Sequence, residues 1–442
     1  MSVSSPPQQS PWLRPVPGSV LKKVSVVAFF AWVFSVYDFT LFGTLLPVIA
    51  EDFGWSTAKS TEVATWVQVG TFLVALMVGP MVDRLGRRTA LVITVLGAAI
   101  ASALTGLAGG VLTMILIRSF SGFGYSEEVV NSVYLNEMYG RARRRGFMYA
   151  FVQSGWPVGA LIAAGITALT LPHVGWRWSF VIAAVPSVIL AIIATRLPES
   201  PAFLALKEAR RLREAGDVVG AERVAQEAGV ELSTPRLAEL FTPELRTHTI
   251  ALSLAWLFNW MSIQVFAVLG TTVLTAGKGV SFGGALTVLV LANAAAFLGY
   301  LFHGWVGDRV GRRPTIIAGW TIGGVLTAIM LFGPNSSGFV IAMYAATLFF
   351  LTGPYSAVLF YGGESFPAHV RGLGANVAHV MGPVGAILGS GILAIFLGAG
   401  LPMTLAAFFA GSVPMLLSGL VMLFTRHVNQ DDVSPAPQEV FV

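Results

Sequence analysis

Twelve long apolar runs govern what this chain can fold into. They lie near residues 24–49, 61–82, 90–108, 111–137, 147–170, 177–195, 249–275, 283–306, 314–333, 338–362, 373–397 and 402–425. Turns with Gly or Pro, or clusters of charge, separate them. A helix rises about 1.5 Å per residue, so about 20 residues cross the ~30 Å hydrocarbon layer of a bilayer. The runs lack the sustained alternation of barrel strands. Composition agrees: 55% of residues are hydrophobic and 11% charged, against roughly 25% charged in a soluble domain. No soluble fold of this size hides that much apolar surface, which excludes a soluble enzyme, a nucleic-acid binder and a disordered protein. The chain has no cysteine, so disulfides, thiolate metal sites and cysteine nucleophiles are excluded as well. The expected class is an all-α membrane protein with twelve transmembrane helices, numbered here as spans 1 to 12.

The basic residues orient it. With the N-terminus in the cytoplasm, the tails and the loops after spans 2, 4, 6, 8 and 10 hold 23 of the 27 Lys and Arg residues. Lys59, Arg177 and Lys278 fall on the outer side, and Arg118 lies inside a span. That is a strong positive-inside bias, and it explains the basic isoelectric point without a polyanion partner. Residues 1–23 lack the apolar core of a signal peptide and read as a disordered cytoplasmic tail, as do 427–442. Residues 196–247 form the one long polar stretch. The run from Ala202 to Gln226 is helix-prone, so this segment reads as a cytoplasmic linker with short amphipathic helices. It divides a first bundle, 24–195, from a second, 248–426.

The halves echo each other. Gly79, Asp83, Arg84, Gly86, Arg87 and Arg88 spell G-x-x-x-D-R-x-G-R-R after span 2. Gly304, Asp308, Arg309, Gly311, Arg312 and Arg313 repeat it after span 8. Tyr134 and Glu137 recur as Tyr361 and Glu364, and Arg145-Gly146 recurs as Arg371-Gly372. Trp156-Pro157-Val158-Gly159-Ala160 recurs as Gly382-Pro383-Val384-Gly385-Ala386. These echoes at nearly one offset imply two pseudo-symmetric six-helix bundles. In the repeated loop, glycine lets helices approach, and Asp at a helix end can cap its neighbour and pair with Arg. Such a cluster can latch one conformational state on the cytoplasmic side. This pattern resembles the major facilitator superfamily over residues 24–425. The resemblance implies two bundles rocking about a central cavity to give alternating access.

A charge inside a membrane is costly and marks function by default. Asp38 lies 14 residues into span 1, about 21 Å from the inner face, and Arg118 lies about 20 Å from it. Matching depth makes them a plausible ion pair. A carboxylate that alternates between Arg pairing and protonation is a natural proton carrier. On span 4, Arg118, Ser121, Tyr125, Glu128 and Ser132 share one face, so this stripe is expected to border an aqueous cavity. Glu128 is a candidate relay on the inner side. Glu127 points away and reads as a packing or gating residue. Charge is expected only in the first half of this machinery, because the matching positions on span 10 are Pro354 and Tyr355.

The second half offers aromatic rings and amides, which suit a small organic substrate. The candidates are Trp256, Trp260 and Gln264 on span 7, with Ser253 and Thr271 on the same face. Asn293 and Tyr300 on span 8, Tyr355 on span 10, and Asn376 and His379 on span 11 join them. Gln153 occupies the equivalent place on span 5.

Tyr37-Asp38-Phe39-Thr40-Leu41-Phe42-Gly43 followed by Pro47 resembles the first helix of proton symporters for organic acids. Arg118, Gly122 and Glu128 match the helix 4 spacing of the metabolite:proton and sialate:proton groups, with Ser126-Glu127 where those carry a glycine pair. Pro198-Glu199-Ser200-Pro201 is similar to a sugar-porter signature, with Ala202 in place of its Arg. The resemblance implies secondary transport: proton-driven import of a small organic anion, a carboxylate. A sugar or polyol symporter is the alternative, followed by a drug:proton antiporter and a non-transporting sensor. No catalytic motif, cofactor site or metal-ligand cluster stands in the sequence. The expected partners are a small-molecule substrate, protons and lipid, with no nucleic acid. The expected setting is a monomer in the cell membrane with both termini cytoplasmic.

Overall fold

The computed structural model describes residues 16–139, 151–230, 236–367 and 370–428. Among them the regular structure is entirely helical. Ten helices are long and apolar enough to cross a membrane. Two details bring these to twelve passages. Helix 151–194 is two spans bent at Gly175, whose φ of 72° is a left-handed value that favours glycine. Span 4 is broken into Val111–Ser119 and Gly122–Tyr139, neither of which crosses alone. The protein is a multi-pass membrane protein of twelve helices.

Several spans are less regular than their hydropathy implies. Span 7 runs as Arg246–Ser262, a π-helical segment Ile263–Val268, and Gly270–Lys278. The Leu269 N–H reaches back five residues to the Gln264 carbonyl at 2.9 Å, the hydrogen-bond pattern of a π turn. Span 10 breaks between Ser337–Thr352 and Tyr355–Glu364, where Pro354 has no N–H to continue the first helix. Between the halves, Ser200 Oγ accepts from the Phe203 N–H at 3.1 Å to cap helix Pro201–Glu214. Asp217 caps helix Val218–Ala228 in the same way, and Gly229 ends it at φ 65°. Phe203, Ala205 and Ala209 are buried, so this amphipathic segment lies against the protein.

Spans 1 to 6 pack mainly on one another, as do spans 7 to 12, and the two groups meet along spans 1 and 7, 2 and 11, and 5 and 8. They are sealed on the side away from the Arg-rich loops. There Gly43 rests directly on the π segment: a methyl at Gly43 would fall 2.1 Å from the Val268 carbonyl oxygen. Thr271 Oγ1 lies 3.0 Å from the carbonyl oxygens of both Gly43 and Thr44. Gln68 Nε2 donates to Gln264 Oε1 across the interface at 3.1 Å. Toward the Arg-rich side, the polar faces open out. Glu128 is buried and Ser132 half-buried, and Asn136 is exposed; likewise His379 is half-buried and Asn376 exposed. The central space therefore opens toward the basic loops.

Candidate substrate cavity and coupling pair

A narrow cleft, in the described state wide enough only for water, lies where the two groups of spans meet. Span 1 lines it with Trp32, span 4 with Glu128, and span 5 with Gln153 and Trp156. Spans 7, 8 and 10 add Trp260 and Ile263, Tyr300, and Thr352 and Tyr355. Its walls are aromatic and mutually braced. Trp156 sits 5.8 Å from Trp32 and 5.8 Å edge-to-face from Trp260. Tyr125 stands edge-to-face on Trp260 at 5.4 Å, and Trp256 on Tyr355 at 5.5 Å. Rings locked by such contacts hold a fixed slot.

Few polar groups enter. Glu128 Oε2 meets His379 Nε2 at 3.1 Å, and the His379 ring lies 5.0 Å from Trp256. This pair joins span 4 to span 11 and ties the Glu128 carboxylate to the second half. Tyr355 Oη donates to Asn259 Oδ1 at 2.7 Å. Trp32 Nε1, Tyr125 Oη, Asn259 Nδ2 and Trp260 Nε1 are buried without a hydrogen-bond partner. All four can donate, and Trp32 and Trp260 line the cavity, which favours an acceptor-rich ligand.

Asp38 and Arg118 come together behind this slot rather than in it. Arg118 Nη1 donates to Asp38 Oδ1 at 2.9 Å, and Nη2 to the Asp38 carbonyl at 3.2 Å. The guanidinium carbon lies 5.5 Å from the Phe42 ring and 5.4 Å from Phe180. Both side chains are almost fully buried. Asp38 Oδ2 and Arg118 Nε have no partner, so the pair is engaged through one oxygen and leaves the other free for a proton. Phe39, the next residue, packs on Tyr125 at 5.9 Å and on Trp156 at 6.2 Å. One aromatic layer thus separates the ion pair from the cavity wall. The break after Ser119 interrupts the polar stripe of span 4: Glu128 faces the cavity, whereas Arg118 does not line it. Glu127 is wholly buried beside Asn131 and away from the cavity lining.

Other residues singled out in the sequence take different places. The π segment puts Gln264 against Gln68 in the far-side seal, where Thr271 also lies. Asn293 Nδ2 donates to the Leu289 carbonyl of its own helix at 2.9 Å. Asn376 is exposed one turn from His379.

On the basic side, Arg87 makes a forked contact with Glu137. Its Nε and Nη2 lie 3.0 and 2.8 Å from Oε1, and Nε lies 2.9 Å from Oε2. Arg312 pairs with Glu364 at 3.1 Å in the second half. Asp83 and Asp308 stand farther off, each 3.8 Å from Arg87 and Arg312 respectively, and both are exposed. Arg84, Arg309 and Arg371 are exposed, with Arg309 over the Trp305 ring at 4.0 Å. Arg313 donates to the carbonyls of Met422 and Leu423. Arg145 lies outside the described residues. The ion pairs of Arg87 and Arg312 each stay within one half.

Two expectations for this loop are corrected. Asp83 does not cap span 3; Glu199 does, accepting the N–H groups of Arg87 and Arg88 at 2.9 and 3.1 Å. The turn at Gly86, with φ 98°, brings the linker over the start of the helix. Nor do Gly79 and Gly304 bring helices into close approach. A methyl at Gly79 would meet nothing within 4 Å, and one at Gly304 only ordinary contact with Ser356. The conformationally required glycines are Gly86 and Gly311, at φ 98° and 104°. Glu199 and Ser200 belong to this cluster, Ser200 Oγ hydrogen-bonding Glu137. Their signal in the sequence was the Pro-Glu-Ser-Pro run.

The family model for sugar (and other) transporters matches residues 24–428. The chain belongs to this family, within the major facilitator superfamily. It is a family of transporters, not of enzymes. Among relatives of this family member, the niacin transporter NiaP of Acinetobacter baylyi is 28% identical over 375 residues, covering 80% of this chain and 82% of the relative. A gallate transporter of Pseudomonas putida is 27% identical over 421 residues, 92% of each. The crystal structure of a D-xylose-proton symporter superposes with a TM-score of 0.70 at 18% identity, over 92% of this chain and 98% of that one. At that identity the likeness concerns the fold.

Proposed function

We propose that this protein imports a small aromatic carboxylate together with protons, by alternating access, with the Arg-rich side and both termini in the cytoplasm. The observation that carries this reading is the layering at the centre. An aromatic slot with unpartnered donors faces the substrate, and Phe39 links its wall to the half-engaged Asp38–Arg118 pair. The names of two relatives support the chemical class, since niacin and gallate are both planar aromatic carboxylates. The Lys and Arg distribution supports the orientation.

The physical sequence is as follows. Protonation of Asp38 at its free oxygen removes the charge that holds Arg118. A substrate ring pressing on Trp156 and Tyr125 moves Phe39, and with it the helix turn that carries Asp38. The far-side seal at Gly43, Thr271 and Gln68 then forms as the basic side opens, and substrate and proton leave to the cytoplasm. Exposure of Asp83 in the present state, 3.8 Å from Arg87, supports a latch that tightens when the basic side closes.

The test is competition. Radiolabelled nicotinate is offered to proteoliposomes under an inward proton gradient, against excess benzoates, aliphatic acids, xylose and cationic dyes. Uptake blocked by aromatic acids alone is expected. Absence of nicotinate uptake together with driven xylose uptake would replace this reading by sugar symport.

A further inference from the structure

The internal repeat breaks its own pattern at the cavity. The first copy has Trp156 ahead of Pro157-Val158-Gly159-Ala160; the second has Gly382 ahead of Pro383-Val384-Gly385-Ala386. The prolines and following glycines keep their packing roles. A Cβ at Gly159 would lie 2.4 Å from the Val33 carbonyl oxygen, and one at Gly385 would lie 2.2 Å from the Leu257 carbonyl oxygen. Helix–helix contact thus explains the conserved part of the repeat. It does not explain Gly382, whose φ is not in the left-handed range.

What stands over Gly382 is polar. A Cβ built there would lie 3.0 Å from Trp260 Nε1 and 3.0 Å from Tyr125 Oη. The two donors belong to opposite halves of the molecule, span 7 and span 4. Both side chains are more than nine-tenths buried, and neither donor has a hydrogen-bond partner. A buried donor without a partner costs free energy, and two that converge on one bare Cα can share a single acceptor. A side chain at Gly382 would crowd both donors.

We infer that Tyr125 Oη–H and Trp260 Nε1–H, over the bare Cα of Gly382, form a notch that binds the carboxylate of the substrate. The inference rests on the aromatic-carboxylate reading above and gives it an orientation. The ring lies against the braced Trp156–Trp260 pair, and its carboxylate lies toward span 11. Because one donor comes from each half, the bound carboxylate bridges the halves, and its arrival and departure bear on their relative position. An indole N–H and a phenol O–H supply two charge-assisted hydrogen bonds without a buried cation. Arg118 therefore remains with Asp38 instead of being spent on the substrate.

The experiment measures binding in detergent-solubilised full-length protein, by calorimetry, for wild type, Tyr125→Phe and Gly382→Ala. The probes are nicotinate, and pyridine-3-methanol as a ring of similar size without a carboxylate. Thermal melts verify that each variant is folded; Tyr125→Phe changes only one hydroxyl and stands as the safer variant. Nicotinate affinity is expected to fall about tenfold or more in Tyr125→Phe, the effect of losing one hydrogen bond to a charged group. Gly382→Ala is expected to weaken nicotinate similarly, because its methyl intrudes on both donors. Pyridine-3-methanol should change less than threefold in both. Unchanged nicotinate binding in folded variants would overturn the notch while leaving the aromatic-acid reading intact. Equal losses for both probes would also overturn it, because the position would then only shape the slot. Wild-type protein that binds neither nicotinate nor other aromatic acids would overturn the parent reading and the notch with it.

Discussion

Substituting Gly43 by alanine should unlock the far-side seal. The new methyl would sit 2.1 Å from the Val268 carbonyl oxygen and 2.8 Å from both the carbonyl carbon and Cγ1. Backbone cannot yield as a flexible side chain can, so span 1 must draw away from the π segment. Overpacking of this kind costs about 1–3 kcal/mol. Withdrawal also breaks the Thr271 hydroxyl bond to the Gly43 and Thr44 carbonyls, which adds about 1 kcal/mol. The penalty falls only on the sealed state, because the contact is absent once the far side opens. A bias of about 2–4 kcal/mol shifts the equilibrium toward the far-side-open state by roughly 30- to 700-fold. The absence of native cysteine makes the assay direct. A single cysteine at Gln68 is labelled with a membrane-impermeant maleimide in right-side-out vesicles, with and without Gly43→Ala. Loss of the Gln68–Gln264 hydrogen bond is common to both arms and cancels. Labelling should accelerate at least tenfold in the double variant, and net transport should slow. Equal labelling rates with wild-type transport would refute the role given to this contact.

Three other outcomes are expected. Gly86→Ala places an L residue at φ 98° with its methyl 2.4 Å from Glu199 Oε2, and should lower the melting temperature by several degrees, whereas Gly79→Ala, built into open space, should not; equal melting temperatures would remove the distinction. Arg87→Lys keeps the charge but loses the fork to Glu137, and should slow the transport cycle several-fold in stopped-flow uptake with substrate affinity unchanged; unaltered rates would count against a conformational role. Asp38→Ala leaves Arg118 buried without its carboxylate, at a cost of about 3–5 kcal/mol, whereas Asp38→Asn keeps an acceptor for Nη1. Thermal melts should therefore rank wild type above Asn and Asn above Ala, and an Ala variant as stable as wild type would show that the pair is not buried as described.

Features governed by helix rise and hydropathy were legible in the sequence. The twelve passages follow from apolar length, and Asp38 and Arg118 could be brought together by counting depth along two helices. Features governed by local departures from the regular helix were not. Periodicity put Gln264 on the face of Trp256 and Trp260, but the extra residue in the turn Ile263–Val268 carries it to Gln68. The break between Ser119 and Gly122 likewise parts Arg118 from the stripe that includes Glu128. Contacts between halves depend on how two bundles dock, which no local pattern encodes. Hence the Glu128–His379 pair and the convergence of Tyr125 and Trp260 on Gly382 emerge only in three dimensions. Glu199 was visible as a motif, but its task as the cap of span 3 depends on where the linker lies.

Proton movement through Asp38 is the central claim. Purified protein is reconstituted into liposomes that hold a pH-sensitive dye, and an aromatic acid such as nicotinate is added outside at matched pH. Wild type should acidify the lumen, and Asp38→Asn should not, while that variant still exchanges labelled for unlabelled substrate. Substrate accumulation by wild type without acidification, or acidification by Asp38→Asn at the wild-type rate, would contradict it.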